Sequence, residues 1–518
     1  MRVVSERRRE IATVALIVIL AFATRLWFGM RMQLDGDEAT TAIMALHAAQ
    51  GHPYLMEANF HYLGGIESWL IAPFTVLFGN TLLAVRTTTA LFGTGYTATM
   101  YLAGRRLFGG HRGGLVLGVV ASFFPVFTFA WDLKARSYGL TLLITSLCLL
   151  MTLRIAWPAG GAVRTRDWVI LGVLAGLGMW NDILIAAPLV VMAVALLMRS
   201  QTMGDRSFVR GATAATVAGV VGFSPWIAYN IMHPLRSLHG LPDVHVPVPD
   251  AMRGFLHTEL PIFSGGWGTV HHVVVPARVA DAAFGVLLLA VLWIRRRPIM
   301  TLIGEVFSFR FASLQPIEMS LAILPVILAF VLLGRSNGSF AEPRYLVPAA
   351  IPCAIAATVV LTRPWPRNGV AIASAIGVAI VGVMVLSGPT VDSTRITTPG
   401  SAIPTDLSPL VAMLEQHADR PIVANYWLAR PLMYDSDDRL RIAEYDGGVA
   451  FPDIQSAADT SSDPSWLFFI DDPDRQRLMA WCTTHAIRYS TTTAGRAKLY
   501  TDFSHPVRIW NLGLPVAS

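Results

Sequence analysis

The chain has 518 residues, of which 54% are apolar and 14% charged, and its mean hydropathy is +0.52. Soluble domains carry about 25% charged residues, so this composition excludes a soluble globular protein and specifies an integral membrane one. The formal charge of +6 comes from short arginine clusters beside apolar runs, with no long basic tract and no interleaved aromatics, so it reads as membrane topology and excludes nucleic acid as a partner.

A membrane span needs about 20 apolar residues at 1.5 Å each to cross a core of about 30 Å. The first run, 11–30, follows Arg2 and Arg7-Arg8-Arg9 and exceeds the 7 to 15 apolar residues of a signal peptide, which predicts an uncleaved first span. Further runs at 84–104, 114–130, 138–157, 168–180, 183–198, 212–230, 278–294, 319–335, 345–362 and 369–387 bring the expected number to about eleven. The stretch 60–79 would make a twelfth. The positive-inside rule decides against its crossing, because only then do Arg105-Arg106-Arg112, Arg154-Arg164-Arg166, Arg199-Arg206-Arg210, Arg295-Arg296-Arg297 and Arg363-Arg367 all share the N-terminal side. The expectation is a cytoplasmic N-terminus, a first outer loop over 31–83 whose 60–79 part lies in the interface, and outer segments at 131–137, 234–275, 336–344 and after 387. The runs flanking Asn181-Asp182 predict a tight helical hairpin, and 300–315 predicts a helix along the inner surface.

After Gly388 the composition shifts to Asp, Ser, Thr and Pro, and long apolar runs stop. Helices are predicted at 404–417 and 474–485, and strands at 421–425, 440–444, 466–470, 487–490 and 497–502. The expected fold class is therefore mostly α. A polytopic transmembrane helical bundle over 1–387 is followed by a small extracytoplasmic α/β domain over 388–518. Cys148 and Cys353 lie in apolar runs and Cys482 stands alone in a polar region, a pattern that suggests neither a disulfide framework nor a cysteine metal site.

Chemistry concentrates at the outer ends of the spans. Asp35, Asp37 and Glu38 follow the first span directly, and a carboxylate there can deprotonate a hydroxyl or hold a metal. A helix over 39–49 would make Asp37 its cap and Glu38 a first-turn acid, a structural role compatible with catalysis. Asp132, Lys134 and Arg136 share the next outer turn, where Lys134 and Arg136 either neutralise Asp132 or meet a specific anion. Arg344, beside Glu342 and Tyr345, repeats the situation, and the guanidinium fork suits a phosphate. His61, Tyr62 and Glu67 flank Gly64-Gly65 in the interface segment. A divalent metal on His61, Glu67 and an Asp is possible but not required, because no ligand pair has a diagnostic spacing. His271-His272 reads as a surface pair and Asn337-Gly338-Ser339 as a chance sequon. No glycine fingerprint for a nucleotide is present, and no cofactor is expected.

Taken in order, several motifs resemble the GT-C glycosyltransferases, in particular the protein O-mannosyltransferase, aminoarabinose transferase and Rgt-like bacterial group. They are Gly36-Asp37-Glu38-Ala39, Gly51-His52-Pro53-Tyr54, Tyr62-Leu63-Gly64-Gly65-Ile66-Glu67, Ala84-Val85-Arg86, Gly104-Arg105-Arg106-Leu107-Phe108-Gly109, Ala135-Arg136-Ser137-Tyr138 and Arg344-Tyr345-Leu346. The resemblance runs from about residue 5 to 200, and more loosely to 390. It implies an inverting transferase of the plasma membrane that takes a sugar from a polyprenyl-phosphate donor on the outer face. Asp37 takes the position of the family's base, with Glu38 beside it and Asp132 as a second acid. Arg136 and Arg344 take those of phosphate ligands, with Tyr345, Lys134, His61, Tyr62 and Glu67 as further substrate-binding candidates. The implied acceptor is a cell-envelope glycan, lipid or protein. Gly64-Gly65 stands where the aminoarabinose branch tends to place a Glu-Lys pair, and the C-terminal region is not the β-trefoil of eukaryotic mannosyltransferases, which weakens lipid A and protein respectively as acceptors. The rival reading is a multispan transporter or lipid flippase; against it, charge gathers at the outer surface and inverted repeats are not visible.

Overall fold

The computed structural model describes all residues except 1, 59, 159–162, 204, 239–245, 265–276, 308–313, 337–342, 364–367, 387–394, 397–401, 405, 447–449 and 515–518. His271-His272, Glu342 and the sequon at 337–339 lie outside the described residues. The chain forms two compact units. One comprises Met1–Gly29, Tyr62–Gly64 and Arg86–Val391; the other comprises Met30–His61, Gly65–Val85 and Asp392–Ser518.

The first unit is the helical bundle. Helices lie over each of the apolar runs it contributes, and among the described residues six are long and apolar enough to cross a membrane: Glu10–Gly29, Tyr138–Ala156, Ile183–Ser200, Arg206–Met232, Pro316–Gly334 and Arg344–Thr362. The helix Tyr138–Ala156 is buried on nearly every side, which places it at the centre of the bundle. In lipid such helices associate through close packing at small residues as well as through polar contacts. Gly172, on the helix Thr165–Asn181, shows it: a Cβ there would stand 2.1 Å from the carbonyl oxygen of Ala215 on the helix Asp205–Met232.

Two runs differ from expectation. The stretch 114–130 is not one helix but two, His111–Phe123 and Val126–Asp132. Pro125 separates them, since its nitrogen has no proton to continue the ladder. The apolar spacing after Met300 belongs to the continuing helix Ala277–Phe307, whose 31 residues extend about 46 Å and so outrun the hydrocarbon core.

The second unit joins the loop after the first span to the C-terminal region, so the compact boundary differs from a single break at 387/388. The loop supplies the helices Gly36–Ala49 and Ile66–Phe78. The latter has 13 residues, about 20 Å, shorter than a 30 Å hydrocarbon core. The C-terminal residues form a two-stranded ribbon, β1 (Arg395–Ile396) with β2 (Ala402–Ile403), and then a five-stranded sheet. Its strands are β3 (Ile422–Ala424), β4 (Ile442–Glu444), β5 (Ser465–Phe469), β6 (Ser490–Ala494) and β7 (Ala497–Thr501), in the order β4-β3-β5-β7-β6. The first three run parallel and β7 and β6 close the sheet antiparallel. β3 and β5 are buried along their whole length, as strands covered on both faces are. The strand expected at 487–490 lies later, at Ser490–Ala494, an exposed edge strand of threonines. Two helices, Tyr426–Asp435 and Pro452–Thr460, fill crossovers that no strong apolar period marked.

Asp446, after β4, and Asp472, after β5, both carry carboxyls pushed up to about 6 by burial and by neighbouring acids, Asp474 among them. An unfolded Asp titrates near 3.9, so between about 4 and 6 the folded form holds protons that the unfolded chain has released. Stability therefore falls as pH rises through this window. Thermal unfolding of the purified protein, followed by tryptophan fluorescence, is expected to give a higher midpoint at pH 5 than at pH 7. Asp446→Asn should flatten that slope, and a midpoint that rises with pH in both proteins would remove this assignment.

Candidate functional site

In the loop and C-terminal unit, the helix Gly36–Ala49 begins with a capping box. Asp35, not Asp37, is the cap: its Oδ1 accepts from the Glu38 amide at 2.9 Å while the Glu38 carboxylate accepts from the Asp35 amide at 3.4 Å. Glu38 is fully buried in that role. Asp37 is thereby relieved of capping. Its side chain, 4% exposed, accepts a hydrogen bond from the Tyr426 hydroxyl, on the helix that follows β3. The Tyr426 phenol is raised well above its ordinary range by burial, with the charges of Asp37 and Glu57 adding to it, so it stays a donor and Asp37 an acceptor.

Further bonds fasten the loop to this domain. His47 Nε2 lies 2.7 Å from Asp438 Oδ2, its Nδ1 2.9 Å from the Tyr54 hydroxyl, and Asn80 donates to Tyr434 O at 3.1 Å. Behind Tyr426, Arg430 pairs with Glu444 in a buried ion pair and lies 4.5 Å over the Phe451 ring. Burial pulls the Arg430 guanidinium down to about 10. His61 and Glu67 belong to this unit and Tyr62 to the bundle, so the three candidates from the interface segment divide. Among the described residues no three His, Cys, Asp or Glu side chains stand together as a metal site, His61 and Glu67 included.

In the bundle, Asp132 is answered by a residue that sequence spacing did not suggest. Arg25, inside the first span, donates to Asp132 Oδ2 through Nη2 at 2.8 Å and Nε at 3.1 Å, and both side chains are buried. Lys134 and Arg136 are thus not what neutralises Asp132: Lys134 lies 4.7 Å over the Trp131 ring. The pairing ties the first span to the helix Val126–Asp132.

Arg136, Arg344 and Tyr345 do come together, and Tyr62 and Tyr138 join them. The Tyr62 phenol, raised by burial, lies within electrostatic reach of Tyr345, Tyr138, Arg344 and Arg136. Arg344 also lies 5.3 Å over the Tyr345 ring. The Asn181-Asp182 turn supports this cluster. Asp182 Oδ2 accepts from Ser137 Oγ at 3.0 Å, and Asn181 donates to Ser137 O at 3.2 Å and to Thr141 at 2.9 Å. Gly64 then docks the Tyr62 segment on the same turn, its amide 3.1 Å from Asn181 O. A Cβ at Gly64 would stand 2.2 Å from the Trp180 carbonyl oxygen, so only glycine allows this approach. Gly64→Ala is expected to cost about 1–3 kcal/mol, read as a lowered thermal midpoint of the purified protein. An unchanged midpoint would show that the segment docks otherwise.

Tyr426, Arg430, Tyr138, Arg25 and Asp182 were not singled out as site residues by sequence reasoning. Two of them carried a signal: Tyr138 closes the motif Ala135-Arg136-Ser137-Tyr138, and Asp182 is an acid in a turn between two apolar runs. Tyr426 and Asp37 are 389 positions apart, beyond any spacing rule.

Residues 66–229 match the family model described as dolichyl-phosphate-mannose-protein mannosyltransferase. No curated protein matches by sequence. Among solved structures, ArnT from Cupriavidus metallidurans bound to undecaprenyl phosphate is similar, with a TM-score of 0.58 and 14% identity over 95% of this chain and 98% of that one. The oligosaccharyltransferase AglB from Archaeoglobus fulgidus, in complex with an inhibitory peptide and a dolichol-phosphate, gives 0.50 and 12% over 97% of this chain and 74% of that one. The arabinofuranosyltransferase AftD from Mycobacteria gives 0.50 and 16% over 93% of this chain and 39% of that one. The likeness in structure is one of fold: the chain has the GT-C fold of these membrane glycosyltransferases, and the family model adds a sequence match over residues 66–229.

Proposed function

We propose that this protein is a glycosyltransferase that moves a sugar from a polyprenyl-phosphate donor to an acceptor hydroxyl of the cell envelope, with inversion and with Asp37 as base. The observation that carries the reading is the cluster of Arg136 and Arg344 among Tyr62, Tyr138 and Tyr345, since two guanidinium forks rimmed by phenols suit a phosphate carried on a lipid. In the reaction the acceptor oxygen attacks the anomeric carbon, its proton passes to Asp37, and the bond from the anomeric carbon to the phosphate oxygen breaks. The polyprenyl phosphate leaves with the electron pair. A phosphate monoester has a second pKa near 6 and needs no general acid to depart. One base therefore suffices, where a glycosidase requires two carboxylates. The arginines stabilise the charge that builds on the departing phosphate, and on this reading the reaction runs without a metal. The acceptor side faces outward, with the N-terminus in the cytoplasm.

The test is release of free polyprenyl phosphate from a panel of polyprenyl-phosphate sugars by the protein in liposomes, with cell-envelope extract as the source of acceptor. Release with at least one donor, undiminished by EDTA, supports the reading. Loss of release in EDTA would overturn the metal-independent step, and no release with any donor would overturn the donor class.

A further inference from the structure

Two cavities lie in series along the same four helices of the bundle, His111–Phe123, Ala277–Phe307, Ala350–Thr362 and Gly369–Leu386. One, of about 400 Å³, opens among Arg112, Arg295 and Arg363. Arg295 is answered by the buried Glu318, at 2.5 Å from Nη2 and 2.6 Å from Nε. Arg363 donates to the Ile294 carbonyl at 2.5 Å, a neutral partner, and Arg112 is exposed. Three arginines against one glutamate leave a net charge of +2 at the mouth.

The other cavity, of about 220 Å³, is apolar and is lined by Val119, Phe123, Ala357, Leu361, Ala373 and Gly377 among others. On the helix Gly369–Leu386 the lining passes from Gly369 in the basic cavity to Ile380 in the apolar one, a rise of about 16 Å. That is about half of a 30 Å hydrocarbon core, the depth of one leaflet. A basic cavity in line with an apolar one, the two together about one leaflet deep, has the polarity of a lipid. It is not the donor site of the reading above: the span Arg344–Thr362 separates Arg344, at its start, from Arg363, just past its end.

We propose that an anionic glycerophospholipid occupies this site, its phosphate between Arg112 and Arg363 and one acyl chain in the apolar cavity. Basic pockets between spans bind anionic headgroups in this way, and a depth of one leaflet over the two cavities suits a phosphate with one acyl chain and not a much longer polyprenyl one. The test uses full-length protein, delipidated and re-exposed to phosphatidylglycerol or phosphatidylcholine, with bound lipid counted by native mass spectrometry. Phosphatidylglycerol is expected to be retained about tenfold over phosphatidylcholine. R112Q/R363Q should lower it to the phosphatidylcholine level, and A373F, which fills the apolar cavity, should lower both. Equal retention of the two lipids, or phosphatidylglycerol retention untouched by R112Q/R363Q, would overturn the proposal. So would displacement by glycerol 3-phosphate at equal concentration, which would mark a site for free phosphates, or by undecaprenyl phosphate at lower concentration, which would mark a second donor site.

Discussion

Asp37→Asn is expected to lower release of polyprenyl phosphate by about 10²- to 10⁴-fold, the range that general-base catalysis contributes, while the thermal midpoint stays near that of the wild type. The two halves of this expectation rest on separate observations. Capping of the helix Gly36–Ala49 belongs to Asp35 and Glu38, so a change at position 37 leaves the helix start intact. Asparagine keeps an oxygen that can accept from the Tyr426 hydroxyl, so the contact survives as well. What is removed is the ability to take a proton. Tyr426→Phe is the matching control: it deletes the bond but not the carboxylate, and should lower kcat by about tenfold with KM little changed, the mark of a base less well positioned. A folded Asp37→Asn protein with wild-type release would take the base role from Asp37. Asp132 could not inherit it easily, being engaged by Arg25 at 2.8 Å.

The outline of the bundle was legible because a lipid environment writes itself into sequence: each span must be long and apolar, and arginines mark one side. The same argument set 60–79 apart from the spans, and the helix there, Ile66–Phe78, has 13 residues. Local rules went wrong where a single residue decides the outcome, as Pro125 does in dividing 114–130. They also misplaced the cap, because Asp35 and Asp37 are both plausible until the Glu38 carboxylate is seen to reach back to the Asp35 amide. Of the candidate site, Arg136, Arg344 and Tyr345 were legible from their positions at span ends and Tyr62 from its place beside Gly64-Gly65, and they do gather. The partners that orient the acids were not. Arg25 reaches Asp132 across 107 positions and Tyr426 reaches Asp37 across 389, and side-chain pairing at such separation follows only from tertiary packing.

Arg430→Met is expected to destabilise the loop and C-terminal unit by about 3–5 kcal/mol, the cost of stranding one member of a buried ion pair. Arg430 and Glu444 are 1% and 2% exposed, and Glu57 is also buried nearby, within electrostatic reach of Arg430. Removing the guanidinium leaves Glu444 without its cation in a place where water cannot replace it. Glu444→Leu alone should cost a similar amount for the mirror reason. The double variant should cost much less than the sum of the two, because replacing a buried pair by apolar side chains of similar volume is often neutral. Urea unfolding of the full-length protein, followed through the buried Trp466, measures all three. The result bears on catalysis because Arg430 stands four residues after Tyr426 on one helix, and therefore on the same face. If the pair serves to hold that face against the helix Gly36–Ala49, Arg430→Met loses transfer along with stability, and the double variant regains both. Recovery of stability without recovery of transfer would instead assign the charge of Arg430 a part in the reaction itself.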